Sequence, residues 1–557
     1  MKRVPAGTDR RKVYIELDRD APEAPHVSNS NMTERSPSAS PEPPEKPQPV
    51  AVVDIGASAV RLVVAQVVGG HAPIILEEAS RGVLLGQDTF STGRIGAATI
   101  DAAVRALSGF VRIMDGYGVT RTRAVATSAV REAANADTFL DRVRLRTGLD
   151  AEIIDGSEES RLTYLAVRDA IGWHSAFSAA NALLVEVGGG SVDLTRLEHG
   201  QPTQSGIYPL GAIRLRQRLA TWHGPHEQRI RLLTRQIARI MQDIGGDLDL
   251  ANATSLIALG SDMRFAAGRL SESSDAHRWE VPRAAFLAFC EEVERYDEEA
   301  LVGRFRLSQV DAETLVPAML VYRHLLLGTA AESVTVPDVS LRAGLLAELA
   351  AAGSASNLAD FSSNVVASAV ALGTKYRYDE AHARVVSHLA IRLFDELAAE
   401  HALTARDRLL LEVASLLHDI GLFLGLRGHH KHSLYLLEAS EIFGLSRDDM
   451  QVVGNIARYH RQGLPHKAHP SYSRLHRADR VRVNKLAAIL RLANALDADH
   501  LQKIQDVRVH ENEGGWILDI VGAGDLTMER LAATARADML TDVFGKRVVI
   551  RGSGAGS

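Results

Sequence analysis

Two glycine turns carry the side chains best suited to handling a phosphate chain. In AVVDIGASAVRL an apolar strand ends near Asp54 and is followed by Gly56 and Ser58. In LLVEVGGGSVDL a second apolar strand brings Glu186, then Gly188, Gly189, Gly190, Ser191 and Asp193. Glycine lets the backbone approach an anion closely, and successive N–H groups form an anion nest. Neither turn is a Walker loop, because no Lys-Ser/Thr pair follows, and neither is a dinucleotide fingerprint, because a strand follows instead of a helix. Either turn alone is also what a plain β-hairpin would show; their repetition points to a shared cleft. Acids beside phosphate loops repel an anionic substrate unless they hold Mg²⁺ or activate water. Glu186, Asp193 and Glu159 suit that role. They suit equally a plainer one as surface acids, with DGSEESRL as the charged start of a helix.

A second constellation lies beyond residue 380, where His382, His388, His418, His429, His430, His432, His460 and His466 gather. LLHDIG sets His418 beside Asp419 at the end of an apolar helix, and RLANALDADH brings Asp497. Imidazole and carboxylate from separate helices suit a divalent transition metal. A histidine on an apolar helix also serves as a hydrogen-bonded core residue, and both readings stand at this point. Cys290 is the single cysteine, which excludes an intramolecular disulfide and a cysteine-ligated zinc; within AAFLAFC it reads as a buried thiol.

The elements that must position these groups follow from pattern. Apolar β-branched runs flank both glycine turns, RAVATSA gives a further short strand, and TIDAAVRALSGFVRIMDGYG and IRLLTRQIARIMQDIG have helical periodicity. Alternating strands and helices define an α/β class. Beyond AAGSASN the pattern becomes helical, with Val385, Leu389, Leu393 and Leu397 on one stripe that His382 extends. A closing stretch reads hairpin, helix and strand. Because 557 residues exceed what one core holds, the expected division is a disordered tail over 1–48, two α/β lobes over 49–180 and 181–350, a helical domain over 355–505 and a small α/β appendage over 506–557. The tail is expected from the Pro/Ser/Glu-rich SPSASPEPPEKPQP. Apolar residues at 46% and charged residues at 24% are those of a soluble globular protein, and no run reaches the roughly 18 to 20 apolar residues needed to cross a bilayer. A net charge of −6 argues against bulk nucleic acid as partner. No secretory signal opens the chain, so a cytoplasmic location is expected.

Taken together, these motifs resemble the exopolyphosphatase / guanosine pentaphosphate phosphohydrolase family over roughly residues 50–557. IIDGSEESRL is similar to that family's I-S-G-x-E-E-A-R-L segment, VEVGGGSVDL to its D-x-G-G-G-S-x-E-L loop, TSAVREAAN to T-x-A-x-R-x-A-x-N, and YPLGAIRL to L-G-A-x-R-L. The resemblance implies a two-lobed actin-like (ribonuclease H-like) core followed by an all-α HD-type domain and the small α/β appendage. It implies a Mg²⁺-dependent hydrolase removing terminal phosphate from polyphosphate, with guanosine pentaphosphate as the alternative substrate, and a homodimer. Glu159 then orients the attacking water; Asp54, Glu186 and Asp193 organise the metal; Gly56, Ser58, Gly188, Gly189, Gly190 and Ser191 hold phosphate, and Arg131 clamps it. In that family the helical domain is held to be a degenerate HD fold that has kept its shape without its metal; here His382, His418, Asp419 and Asp497 are the ligand candidates for a second divalent metal.

Three loops depart from the family pattern. DIGASA stands for D-I-G-S-N-S, Glu186 and Asp193 exchange carboxylate lengths, and ALGSDMR lacks a glycine-threonine pair. The closing aspartate of the HD pattern is Asn494. These departures keep a rival in play, a weakened sensor that binds polyphosphate or a guanosine alarmone. A run of Arg474, Arg477, Arg480, Arg482 and Lys485 reads as a solvated helix face or as a track for a polyanion.

Overall fold

The computed structural model describes residues 48–68, 72–172, 181–219, 224–271, 274–275, 278–351, 355–461 and 463–554. The tail expected over 1–48 lies outside them except for Gln48, which opens the first strand.

Two mixed sheets form the first part of the chain. The first has order β3-β2-β1-β4-β5, with β1 (Gln48–Ile55), β2 (Ala59–Val67), β3 (Ile74–Gly82), β4 (Arg121–Ala126) and β5 (Ala151–Ile153). The second has order β10-β11-β12-β9-β6-β7-β8, with β6 (Asn181–Val187), β7 (Val192–Glu198), β8 (Gln201–Tyr208), β9 (Ser255–Leu259), β10 (Ser274–Asp275), β11 (Arg278–Pro282) and β12 (Ser333–Pro337). The repeat suspected from the glycine turns is topological: β3-β2-β1 and β8-β7-β6 are antiparallel meanders, and β1 and β6 each continue into parallel neighbours, β4 and β9. Val50 to Val53 and Ile55 are covered from both faces, as central strands of mixed sheets require, which explains the apolar run that only Asp54 interrupts.

The helix Leu341–Ala351, inside the span read from sequence as the second lobe, packs Leu341, Leu345 and Leu346 onto Val50, Val52 and Val63 of the first sheet. The chain thus crosses back before entering the helical region.

That region places helices Glu380–Glu396, Ala405–Leu417, His429–Glu438, Arg447–Arg458 and Arg477–Ala495 around one apolar core. The terminal sheet, β13 (Ile504–Asn512), β14 (Gly515–Gly522) and β15 (Val548–Gly554), puts Val507, Trp516, Leu518 and Ile550 into the same core. Phe443 meets Tyr164 edge-on at 5.4 Å, and Phe361 lies between the guanidinium groups of Arg161 and Arg406, 5.3 Å from each. Cys290 is free and buried. No helix among the described residues is long and apolar enough to cross a membrane.

Candidate functional site

Each glycine turn is closed by the same hydrogen bond: Gly56 N–H donates to Ala59 O at 3.1 Å, and Gly188 N–H to Ser191 O at 2.9 Å. Cross-strand register sets Asp54 opposite Arg61 in one hairpin and Glu186 opposite Asp193 in the other. The loops approach so closely that a Cβ on Gly190 would collide with the Phe90 ring and Ser128 Oγ, and one on Gly189 would lie 2.9 Å from Ala57 Cβ. Glycine is required there for space, since neither residue has positive φ. The LGAIR segment holds the second loop from below: Ala212 and Ile213 N–H donate to Gly188 and Gly189 O at 2.9 Å, and Arg214 Nε donates to Gly190 O at 2.6 Å while its guanidinium lies 4.1 Å from the centre of the Phe90 ring.

Between the sheets lies a cavity of about 170 Å³ walled by Asp54, Gly56, Ser58, Glu159, Glu186, Gly188, Gly189 and Ser191. Arg61, Arg264 and Arg342 supply positive charge to it. Arg61 and Arg342 flank Asp54 at 3.6 and 3.5 Å, and Arg61 Nη2 also donates to Ser58 Oγ at 3.3 Å.

Glu159 arrives on the helix Gly156–Ile171, whose start is fixed by Asp155 accepting from Glu158 N–H at 2.9 Å. The helix is stitched to the β6–β7 hairpin by Ser160 Oγ donating to Asp193 Oδ1 at 2.7 Å and Thr163 Oγ1 donating to Glu186 Oε2 at 3.2 Å. Burial pushes Glu159 up to about 7; Arg131 opposes the rise, and the charges of Glu186 and Asp54 add to it. Glu186 and Asp193 are also raised, first by burial. A further acid, Asp262, lines the cavity and is pushed up to about 6 by burial.

Three residues stand elsewhere than the sequence suggests. Arg131 does not line the cavity: its Nη1 donates to Ile154 O at 2.7 Å and to Glu159 Oε2 at 3.3 Å, so it grips the acid where a phosphate clamp was expected. Asp193 is 8% exposed and does not line the cavity: although it stands opposite Glu186 on the hairpin, its Oδ1 is taken by Ser160 Oγ at 2.7 Å. Gly190 likewise packs against Phe90 and Ser128 and does not line the cavity. Sequence reading missed Arg61, Arg342, Asp262 and Tyr322. Tyr322 Oη accepts from Val187 N–H at 3.0 Å and donates to Leu259 O, tying the ends of β6 and β9. The alternation of β2 offered a signal for Arg61, whose register faces Asp54; nothing local marked the other three.

In the helical region His382, His418, Asp419, His429, His460 and Asn494 converge from separate helices. Asp497, expected among the ligands, stands behind: its Oδ2 accepts from His382 Nδ1 at 2.8 Å, and Asn494 Oδ1 instead faces the Nε2 atoms of His382 and His418 at 3.1 and 3.2 Å. Burial pushes His418 down to about 4. In the basic run, Arg482 pairs with Asp479 and Asp407 and Lys485 donates to His401 O, while Arg477 is exposed.

Two facing hairpin loops over a cavity lined by carboxylates and arginines define an actin-like phosphatase core. The Ppx/GppA phosphatase family model matches residues 63–352, and that family's domain III matches 366–532. The chain belongs to the Ppx/GppA phosphatase family and is an enzyme of the hydrolase class. Exopolyphosphatase 1 of Mycobacterium leprae is 29% identical over 312 residues, 53% of this chain and 88% of that one. Exopolyphosphatase 2 of Mycobacterium tuberculosis is 28% identical over 256 residues, 43% of this chain and 78% of that one. A crystal structure of an exopolyphosphatase from Cytophaga hutchinsonii superposes with TM-score 0.50 at 21% identity, covering 55% of this chain and 98% of that chain, a likeness of fold.

Proposed function

We propose that the chain is an exopolyphosphatase that hydrolyses the terminal phosphoanhydride bond of polyphosphate in the cavity between the sheets. The observation that carries this reading is Glu159: a carboxylate held by Arg131, facing the two glycine loops, with an affinity for protons near neutrality. A general base works best when its pKa lies near the working pH.

The terminal phosphate sits on the N–H groups of Ala57 and Ser58 in one turn and Gly189 and Ser191 in the other, with Arg61 and Arg342 neutralising its oxygens. Glu159 takes a proton from water as the water oxygen bonds to the terminal phosphorus; the bridging P–O bond breaks, and the shortened chain departs with that oxygen. Asp193 and Thr163 belong to the supports: Ser160 ties Asp193 to the Glu159 helix, and Thr163 orients Glu186.

The donor set fits Mg²⁺. Asp54, Glu186 and Asp262 offer hard carboxylate oxygens to one cavity; burial raises Glu159 and Glu186, and the added repulsion from Glu186 and Asp54 at Glu159, and from Asp54 at Glu186, marks crowded negative charge. Asp54 and Glu186 would hold the ion, which when bound supplies neutralising charge to phosphate oxygens. Among the described residues no cavity-lining side chain is aromatic, so the cavity walls described offer no platform for a purine, which favours polyphosphate over guanosine pentaphosphate.

The test is phosphate release from long-chain polyphosphate and from guanosine pentaphosphate, side by side, with Mg²⁺ and with Mn²⁺. Binding of polyphosphate without release would replace the enzyme by the sensor.

A further inference from the structure

The peptide planes of the second glycine turn are aimed by two different means. In a trans peptide the C=O and the following N–H point in opposite directions, so whatever holds a carbonyl back aims the next N–H forward. Gly188 O accepts from Ala212 N–H at 2.9 Å, and Gly189 O from Ile213 N–H at 2.9 Å and Arg214 N–H at 3.1 Å, so backbone donors fix both of those planes. The plane between Gly190 and Ser191 is held by a side chain instead: Arg214 Nε donates to Gly190 O at 2.6 Å. Ser191 lines the cavity and Gly190 does not, so the N–H at the far end of that plane is the one turned toward the phosphate. A Cβ on Gly211 would fall 2.3 Å from Gly190 C and 2.4 Å from Ser191 N, so the segment that carries Arg214 is pressed against the same plane.

The guanidinium is itself fixed from across the cleft. Its Nη2 donates to both carboxylate oxygens of Glu132, at 2.5 and 2.7 Å, and the group lies 4.1 Å from the centre of the Phe90 ring. Phe90 belongs to the helix Leu85–Thr92 and Glu132 directly follows the helix Ser128–Arg131; both helices pack with the first sheet, whereas Gly190 stands at the end of a strand of the second. Glu132 is also the chain neighbour of Arg131, which grips Glu159. One side chain therefore refers the Ser191 N–H to the short segment that holds the proposed base. With Glu132 43% exposed, the ion pair adds little to stability. What it supplies is direction, because the donors of a guanidinium are fixed in one plane.

We propose that Arg214 is a positioning residue, a role that rests on the phosphatase reading of the cavity: it aims the Ser191 N–H at the terminal phosphate, and Glu132 and Phe90 set the direction of its guanidinium. The donor is then correctly aimed only when the two sheets stand in the register that brings Glu132 and Phe90 to Arg214. Lysine does not substitute, because a single ammonium has no planar fork to span Gly190 O and the Glu132 carboxylate.

In steady-state release of phosphate from polyphosphate, Arg214→Gln should show kcat lower by about 10- to 100-fold and KM changed by less than about threefold, the pattern of a donor that counts most in the transition state. Arg214→Lys should recover little of that loss. Glu132→Gln should lower kcat by a smaller factor, and Glu132→Gln/Arg214→Gln by no more than Arg214→Gln alone, since Glu132 acts through Arg214. Native kcat in Arg214→Lys overturns the proposal, and so do losses that multiply in the double variant. Hydrogen exchange gives a readout independent of turnover: residues 188–191 should exchange faster in Arg214→Gln than in the unmodified chain, and residues 56–58 at an unchanged rate. Should the unmodified chain release no phosphate, the phosphatase reading falls while exchange still decides the positioning, and equal exchange at 188–191 in the two chains refutes it. If Arg214→Gln does not fold, Arg214→Lys carries both measurements with the same expectations.

Discussion

Arg131 Nη1 lies 3.3 Å from Glu159 Oε2 and 2.7 Å from Ile154 O, so one guanidinium ties the acid on the helix Gly156–Ile171 to the chain segment that leads into it. The pair fixes where the carboxylate points, and it restrains how far burial raises its proton affinity.

Glu159→Gln should lower phosphate release by ~10²- to 10⁴-fold, the range usual for loss of a general base, with polyphosphate binding largely kept. The check is kcat beside a direct binding measurement. Undiminished turnover would remove Glu159 from the reaction.

The acidic limb of kcat/KM should fall near the pH of about 7 at which Glu159 protonates, since only the ionised carboxylate accepts the proton from water. Arg131 favours that ionised form, so Arg131→Gln should move the limb to higher pH and Arg131→Lys should bring it part of the way back. A limb that does not move in Arg131→Gln would show that Arg131 acts elsewhere.

The raised proton affinity of Glu159 also has a stability consequence. A carboxyl whose folded pKa exceeds its unfolded one stabilises the fold most at low pH, and that contribution is lost as pH rises from about 4.5 to about 7. Glu159→Gln should therefore melt at or above the native temperature at pH 8, with no gain at pH 4, as calorimetry would show.

Arg342 and Arg61 flank Asp54 at the cavity wall. Arg342→Gln should raise KM for polyphosphate about 10-fold or more, in keeping with the loss of a charge-assisted contact of ~1.5–3 kcal/mol, with a smaller change in kcat. An unchanged KM in steady-state assays would place phosphate binding on the loops alone.

Asp155 accepts from Glu158 N–H at 2.9 Å and from Arg447 N–H at 3.2 Å, joining the Glu159 helix to the helix Arg447–Arg458 of the histidine-rich region. Asp155→Ala should cost ~1 kcal/mol through the lost cap and lower kcat with it. Denaturant unfolding and turnover on the same preparation would show whether the two effects travel together.

What the sequence determined was local and repetitive. Apolar β-branched runs on either side of a glycine turn dictate a hairpin wherever they occur, and their recurrence at Asp54 and Glu186 disclosed paired loops before any strand order was visible. Glu159, Arg131 and the GGGS turn were legible for the same reason, as short contiguous motifs. Partnership across distance was not. That Arg131 holds Glu159, that Asp193 turns to Ser160, that Arg342 returns to Asp54, and that Asn494 takes the place expected for Asp497 beside His382 and His418 depend on packing between segments far apart in the chain. A side chain's type limits what it can bind, but which atom it faces is set by how sheets and helices close on one another, and only the tertiary structure decides that.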